Sequence, residues 1–314
     1  MSDGVWVIGG GVIGSLFAAH LSRVAEVTLL CRRAEHAAAV AQNGIRVSGR
    51  ANFVGVPRAT VDPAGLRDAG LVIVATKAND VEAAAAQLEG RLGDGTVMTV
   101  QNGLGAEQVI RAHGPWPQLS AVTFMSGTKL ADDHVEYVLD TPTWIAPYED
   151  APFALAKAAV SLIVESGLKA EAMPDLEPAR WSKLIFNATV NSVAALTGLP
   201  HDHHFAELEQ PTNLGHLVRG LMDEGKQIAA AAGIALREDP WEMNVHAVQR
   251  GETLAAEGHY AHVPSMLEDV RSRRPTEVDF ITGALVREAE RRRVEAPLLT
   301  AIYRLVKARE ASYL

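Results

Sequence analysis

The chain has 314 residues, 48% of them hydrophobic and 21% charged, which suits two globular domains, each with its own core. A net charge of -9 argues against nonspecific nucleic-acid binding, while leaving room for a local basic pocket that takes a small anion. No stretch approaches ~18 uncharged apolar residues. The start, MSDGVWVIGGG, lacks a basic segment, so neither a membrane span nor a signal peptide is expected. Cys31 is the one cysteine, so no internal disulfide can form. A reducing, cytoplasmic location is the expectation.

In chain order, residues 5–8 read as a buried strand and 12–24 as a helix. Residues 27–31 are the next strand, followed by an alanine-rich helix from Ala34. Two further apolar runs, 71–75 and 96–100, are each followed by a helical stretch. Short continuous apolar runs alternating with helices are the pattern of a parallel, doubly wound sheet. Between Thr123 and Ala146 the strands shorten, as at 134–139 and 143–146, and are expected to finish that sheet in antiparallel or mixed fashion. Beyond Pro174 the strands give way to helices over 177–196, 212–232, 241–256, 277–292 and 297–308. The fold class is therefore α/β, an N-terminal Rossmann-type doubly wound sheet with an all-α C-terminal domain. The boundary lies within 165–180, drawn here as 1–172 and 173–314.

Gly9-Gly10-Gly11-Val12-Ile13-Gly14 fits the G-x-G-x-x-G pattern at the end of a strand and the opening of a helix, the context that this motif requires. Gly9 permits the tight turn, Gly11 lets a pyrophosphate approach the backbone, and Gly14 lets the helix pack on the strand. The helix N-terminus then offers N–H groups and a partial positive charge to the anion. NAD sites usually carry Asp or Glu at the end of the second strand, ~20 residues on. Here that strand ends in Arg32-Arg33. A guanidinium fork suits a 2′-phosphate, so Arg32, with or without Arg33, points to NADPH; a solvated pair at a helix start is the alternative. Lys77 ends the third strand at the edge where ligands bind in such sheets, either reaching the cofactor's phosphates or serving as a surface lysine. Asn102, after the next strand, is placed to bond the nicotinamide end or the substrate, or to form an Asn-Gly turn.

In the helical half, Lys183, Asn187 and Asn191 recur at i, i+4 and i+8 within the otherwise apolar RWSKLIFNATVN. Lysine is seldom buried without a partner, and asparagine is a poor helix former for a solvated face. This stripe is expected to face a cleft, a partner or a ligand rather than bulk solvent. Ser265 and Glu277 belong to a second polar group. Thr276 is positioned to cap a helix beginning near Glu277, whose carboxylate would favour the positive helix end; spacing alone does not separate that role from catalysis. His201, His203 and His204, with Asp202, form either a metal-binding loop or a solvated one.

On these residues the chain resembles the ketopantoate reductase family. The likeness rests on GGGVIG, CRR, TKAND, VQNGLG, RWSKLIFNATVN and PSMLEDVRSRRPTEVDFITG, and covers nearly the whole chain. It implies NADPH-dependent reduction of 2-dehydropantoate to pantoate in pantothenate and coenzyme A biosynthesis. It also implies a C-terminal domain like that of 6-phosphogluconate dehydrogenase. By the resemblance, Lys183 is the general acid toward the keto oxygen and Glu277 is essential and orients the substrate. Asn187, Asn191 and Ser265 bond the substrate, Arg32, Lys77 and Asn102 lie on the cofactor side or in the active site, and no metal is required. Another small 2-keto acid, or an imine, is the competing substrate. A non-catalytic NADPH sensor is the reading from another class, but it would need neither Lys183 nor Glu277. Two domains enclosing a cleft are expected to close over their ligands, and the long C-terminal helices offer a surface for a homodimer.

Overall fold

The computed structural model describes residues 4–206, 212–256 and 263–314. The first elements are β1 (Gly4–Ile8), α1 (Val12–Leu21), β2 (Val27–Leu30), α2 (Ala34–Asn43), β3 (Ile45–Gly49), β4 (Phe53–Gly55) and β5 (Arg58–Thr60). There follow β6 (Ala69–Val74), α3 (Val81–Leu88), β7 (Thr96–Thr99), α4 (Ala106–His113), β8 (Gln118–Thr123), β9 (Ser126–Ala131), β10 (His134–Leu139) and β11 (Thr143–Tyr148). Next come α5 (Phe153–Glu165), β12 (Ala170–Ala172), α6 (Glu177–Thr197), α7 (Asn213–Ala231) and α8 (Pro240–Ala256). The last are α9 (Ser265–Arg271), α10 (Thr282–Arg292) and α11 (Pro297–Ala311). The chain forms two compact units: one runs to Gln101 and resumes over Gly105–Leu176, the other joins Asn102–Leu104 to Glu177–Leu314.

The first unit is built on an eight-stranded sheet, among the described residues, in the order β12-β11-β8-β7-β6-β1-β2-β5. From β5 to β8 neighbouring strands are parallel; β11 then runs antiparallel to β8. The apolar runs lack a polar face because both of their faces are covered. Val5, Val7, Leu71 and Ile73 enter a core with Leu16 and Phe17 of α1, whereas the alternate residues Trp6, Ile8, Val72 and Val74 enter another with Leu88 and Ile110.

Residues 143–146 join this sheet in antiparallel fashion as expected, but 134–139 do not. That segment, β10, lies in a separate four-stranded sheet, β4-β3-β10-β9, parallel to β3 and antiparallel to β9. Its pattern has a physical reason. Val135 and Tyr137 are buried while their neighbours are partly exposed, the alternation of a one-sided strand rather than of a strand covered twice.

In the second unit α6 is the central element, with Leu184, Ile185, Ala188 and Val193 in a core shared with Leu221, Met222, Leu285 and Leu299. A helix was expected from Glu277, yet α10 begins only at Thr282 and residues 277–281 form turns. Thr276 therefore does not cap it: its Oγ1 donates to Glu310 Oε1 at 2.7 Å and accepts from Val278 N at 3.3 Å. α10 has no side-chain cap, whereas Glu224 of α7 caps α11, accepting from Leu298 N and Leu299 N at 2.9 and 2.8 Å. No helix among the described residues is long and apolar enough to cross a membrane.

Candidate functional site

The glycine turn follows β1 directly. Gly9 has φ 105°, a backbone state that L side chains avoid, and a Cβ there would come within 2.8 Å of Thr76 N. Gly11 is the N-cap of α1, whose first turn has no side-chain cap. A Cβ on Gly11 would meet nothing within 4 Å, whereas one on Gly14 would collide with the Gly9 carbonyl. The two glycines are thus required for different reasons: Gly14 by the protein's own packing, and Gly11 by nothing in the protein. An open approach to uncapped helical N–H groups is what an anionic phosphate needs. Val12 and Ile13 supply the first residues of the helix.

Gly10 departs from the general pattern, because its variable position is also closely packed. A Cβ there would overlap the imidazole of His36, which is 7% exposed on α2. The Gly10 carbonyl accepts from Lys129 Nζ at 2.8 Å. That ammonium also donates to Ser15 Oγ at 2.8 Å and to the Asp132 carbonyl at 3.0 Å, so all three of its N–H donors are used. Burial pushes Lys129 below the ordinary lysine range. Lys129 and His36 were not foreseen. Lys129 lies 119 residues from Gly10, in a strand whose pattern carries no motif.

The two arginines after β2 behave differently. Arg33 is engaged by Asp132, whose carboxyl it helps hold below the usual range against the opposing effect of burial. Arg32 is 86% exposed and meets Asp80 at 3.7 Å, an exposed pair that is easily exchanged. Lys77 is half-buried just past β6. Gln101, at the end of β7, donates to the Val74 and Thr76 carbonyls at 2.8 and 3.0 Å. Its Oε1 and the Thr76 Oγ1 are buried with no hydrogen-bond partner among the described residues. Two orphaned polar atoms next to the glycine turn leave bonding capacity for a ligand.

In the second unit, Lys183, Asn187 and Asn191 all lie on α6. The stripe does not face bulk solvent: Asn187 and Asn191 are 9% and 7% exposed, and Lys183 is half-buried. Asn187 Nδ2 donates to Asn102 Oδ1 at 3.5 Å, which brings together two residues 85 positions apart. Gly103 follows in a bend with φ 95°, and a Cβ there would run into the Phe280 carbonyl. Burial lowers the Lys183 ammonium to about 8, and the opposing influence that favours its charge is Glu277. Glu277 is itself buried. Ser265 opens α9, which packs on α6, and its side chain is exposed.

The histidine loop separates into two parts. His201 is buried, bonded through Nε2 to Asn244 Oδ1 at 2.8 Å and set edge-on to Phe186 and Phe205. Asp202, His203 and His204 each offer one possible ligand atom, and these atoms lie within 4.8 Å of one another. His259 and Tyr260 lie outside the described residues.

The fold and the glycine turn define a dinucleotide-binding α/β protein with a helical second unit. Residues 5–150 match the family described as Ketopantoate reductase PanE/ApbA, and 175–310 match Ketopantoate reductase PanE/ApbA C terminal. The 2-dehydropantoate 2-reductase of Halobacterium salinarum is 30% identical over 308 residues, 96% of this chain and 97% of that one. The enzyme of the same name from Archaeoglobus fulgidus is 27% identical over 309 residues, 98% of both chains. The chain belongs to the ketopantoate reductase family and is an oxidoreductase acting on a CH–OH group. Among solved structures, a PanE/ApbA family ketopantoate reductase from Ralstonia eutropha superposes with TM-score 0.84 at 23% identity, covering 98% of this chain and 99% of that chain. A ternary structure of D-mandelate dehydrogenase with NADH and anilino(oxo)acetate superposes with TM-score 0.85 at 23% identity, with the same coverage. At that identity the two share the fold.

Proposed function

We propose that the protein reduces 2-dehydropantoate to pantoate with NADPH, in the cytoplasm, as a step toward pantothenate and coenzyme A. The observation that carries this reading is the polar face of α6, where half-buried Lys183 stands in line with buried Asn187 and Asn191; burial also draws its ammonium down to about 8, against the opposing influence of Glu277. An acid whose pKa lies near working pH is suited to give up its proton.

Residues 9–14 would take the pyrophosphate, since Gly11 leaves the approach open and α1 is uncapped. Arg32 would bond the 2′-phosphate, because Arg33 is already held by Asp132, and Lys77 would lie near the phosphates. Thr76 and Gln101 join this set through their orphaned oxygens. When bound, NADPH supplies the hydride to the keto carbon. Lys183 Nζ stabilises the negative charge that develops on the substrate oxygen and delivers the proton to it. Asn102, Asn187, Asn191 and Ser265 orient the hydroxy acid by neutral hydrogen bonds, and Glu277 keeps Lys183 protonated.

A second substrate reading draws on the likeness to D-mandelate dehydrogenase, a neighbour that carries NADH in its solved structure. One experiment separates the two. Oxidation of NADPH and of NADH is followed with 2-dehydropantoate, phenylglyoxylate and other small 2-keto acids. Preference for NADPH with 2-dehydropantoate is expected. Turnover of phenylglyoxylate alone, or equal efficiency with NADH, overturns the substrate or the cofactor assignment respectively.

A further inference from the structure

The turn that carries Glu277 lies between α9 and α10 and has no strand ladder or helix of its own to hold it. The N–H groups of Val278, Phe280 and Ile281 bond within the turn, but that of Thr276 needs a partner from elsewhere. The partner at Thr276 comes from α11, at the far end of the chain. Glu310 is 4% exposed, and its Oε1 accepts from both Thr276 N at 2.6 Å and Thr276 Oγ1 at 2.7 Å. Its Oε2 pairs with Lys307 Nζ at 3.0 Å. Lys307 Nζ also reaches Asp279 Oδ2 at 2.8 Å, and Asp279 Oδ1 accepts from Tyr303 OH at 2.7 Å.

Tyr303, Lys307 and Glu310 are spaced i, i+4 and i+7, so they share one face of α11. Together they grip the turn on either side of Glu277, at 276 and at 279. Within the turn the Glu277 carbonyl accepts from Phe280 N and Ile281 N at 3.0 and 3.1 Å. The Phe280 carbonyl then accepts from Leu104 N at 3.1 Å, two residues after Asn102. The same turn is therefore tied to α11 on one side and to the Asn102 segment on the other.

A buried carboxylate that takes two donors and a cation makes strong, directional bonds, which suits it to fixing a backbone position. We infer that Glu310 is a positioning residue for Glu277. By holding Thr276 it sets where the Glu277 carboxylate stands relative to the Lys183 ammonium, while Lys307 and Tyr303 hold the opposite end through Asp279. This rests on the roles proposed above for Lys183 and Glu277. A structural role alone, attaching α11 to its neighbours, makes a different prediction. It would lower stability without altering the titration of Lys183.

The test compares wild type, Glu277→Gln, Glu310→Ala, Glu310→Gln, Thr276→Val and Val306→Ala in NADPH-dependent reduction of 2-dehydropantoate across pH 6 to about 10, with melting temperature and NADPH affinity measured on each. Val306, on α11 and fully buried, serves as the purely structural control. Glu277 favours the charged form of Lys183, so its displacement moves the alkaline limb of kcat/KM to lower pH. Glu310→Ala and Thr276→Val are expected to move the limb in that direction, with kcat/KM down about 10- to 100-fold from misplacement. NADPH affinity should stay at the wild-type value. Glu310→Gln keeps an acceptor oxygen for Thr276 and should restore most of the wild-type profile. Val306→Ala should lower the melting temperature and leave the limb in place.

If Glu277→Gln moves the limb and neither Glu310→Ala nor Thr276→Val does, the positioning role is wrong. If Glu277→Gln leaves the limb unmoved, the coupling of Glu277 to Lys183 fails first, and with it the proposed mechanism. Should Glu310→Ala not fold, Thr276→Val decides. A limb that moves equally in Val306→Ala would also overturn the inference.

Discussion

Replacing Lys183 by methionine should change how stability depends on pH, by an amount that follows from the structure. In the folded protein, burial that strips part of its water holds this ammonium at about 8, against an ordinary value of 10.5. At about 1.4 kcal/mol per pH unit, the difference amounts to roughly 3 kcal/mol of destabilisation when the group is charged in both states. The folded pKa is the lower one, so between the two values the unfolded chain binds more protons and stability rises with pH. From pH 7 to 9.5 wild type should gain about 2 kcal/mol relative to Lys183→Met, which lacks this titration. Denaturant unfolding of both proteins at the two pH values measures it. All other titrating groups are common to the pair and cancel, and loss of packing or of the Glu277 contact adds a largely constant offset. A gap that stays the same at both pH values, or that shifts toward the mutant, would refute the idea of a desolvated ammonium. The same variant should lose about 10²- to 10⁴-fold in turnover, the usual worth of a general acid.

Gly11→Ala should fold with stability within about 0.5 kcal/mol of wild type, since its Cβ meets no protein atom, yet bind NADPH at least about tenfold more weakly; tryptophan quenching titrations would test this, and unchanged affinity would exclude the turn as the phosphate site. Gly10→Ala must displace the buried imidazole of His36 and should cost about 1 to 3 kcal/mol. Adding His36→Ala should recover part of that loss, and a double-mutant cycle of melting curves with no coupling would show the contact to be inconsequential. Arg32→Gln should raise KM for NADPH about 10- to 100-fold and leave NADH unaffected, as expected for a charge-assisted fork lost from a 2′-phosphate. An equal effect on both nucleotides in steady-state assays would count against selection by Arg32. In wild type, kcat/KM should hold below the Lys183 value of about 8 and fall above it; a profile that stays flat through pH 10 would deny Lys183 its role as acid.

Local chemistry made much of this protein legible. The glycine turn could be read because strand, turn and helix are contiguous, and the face shared by Lys183, Asn187 and Asn191 because helical spacing is covalent arithmetic. Thr276 misled for an equally physical reason. A threonine followed by an acid is a good helix start in isolation, but Glu310, 34 residues on, takes both the hydroxyl and the backbone N–H, and the helix begins at Thr282.

Strand period, helix period and turn residues were written in neighbouring residues, so the sequence by itself determined the α/β class, the glycine turn and the polar stripe. Tertiary structure alone decided which strands leave the main sheet, that Lys129 braces the Gly10 carbonyl, that Asn102 meets Asn187, and how far burial lowers Lys183. Each of these depends on groups distant along the chain and on exclusion of water. Neither quantity has a period that a sequence can display.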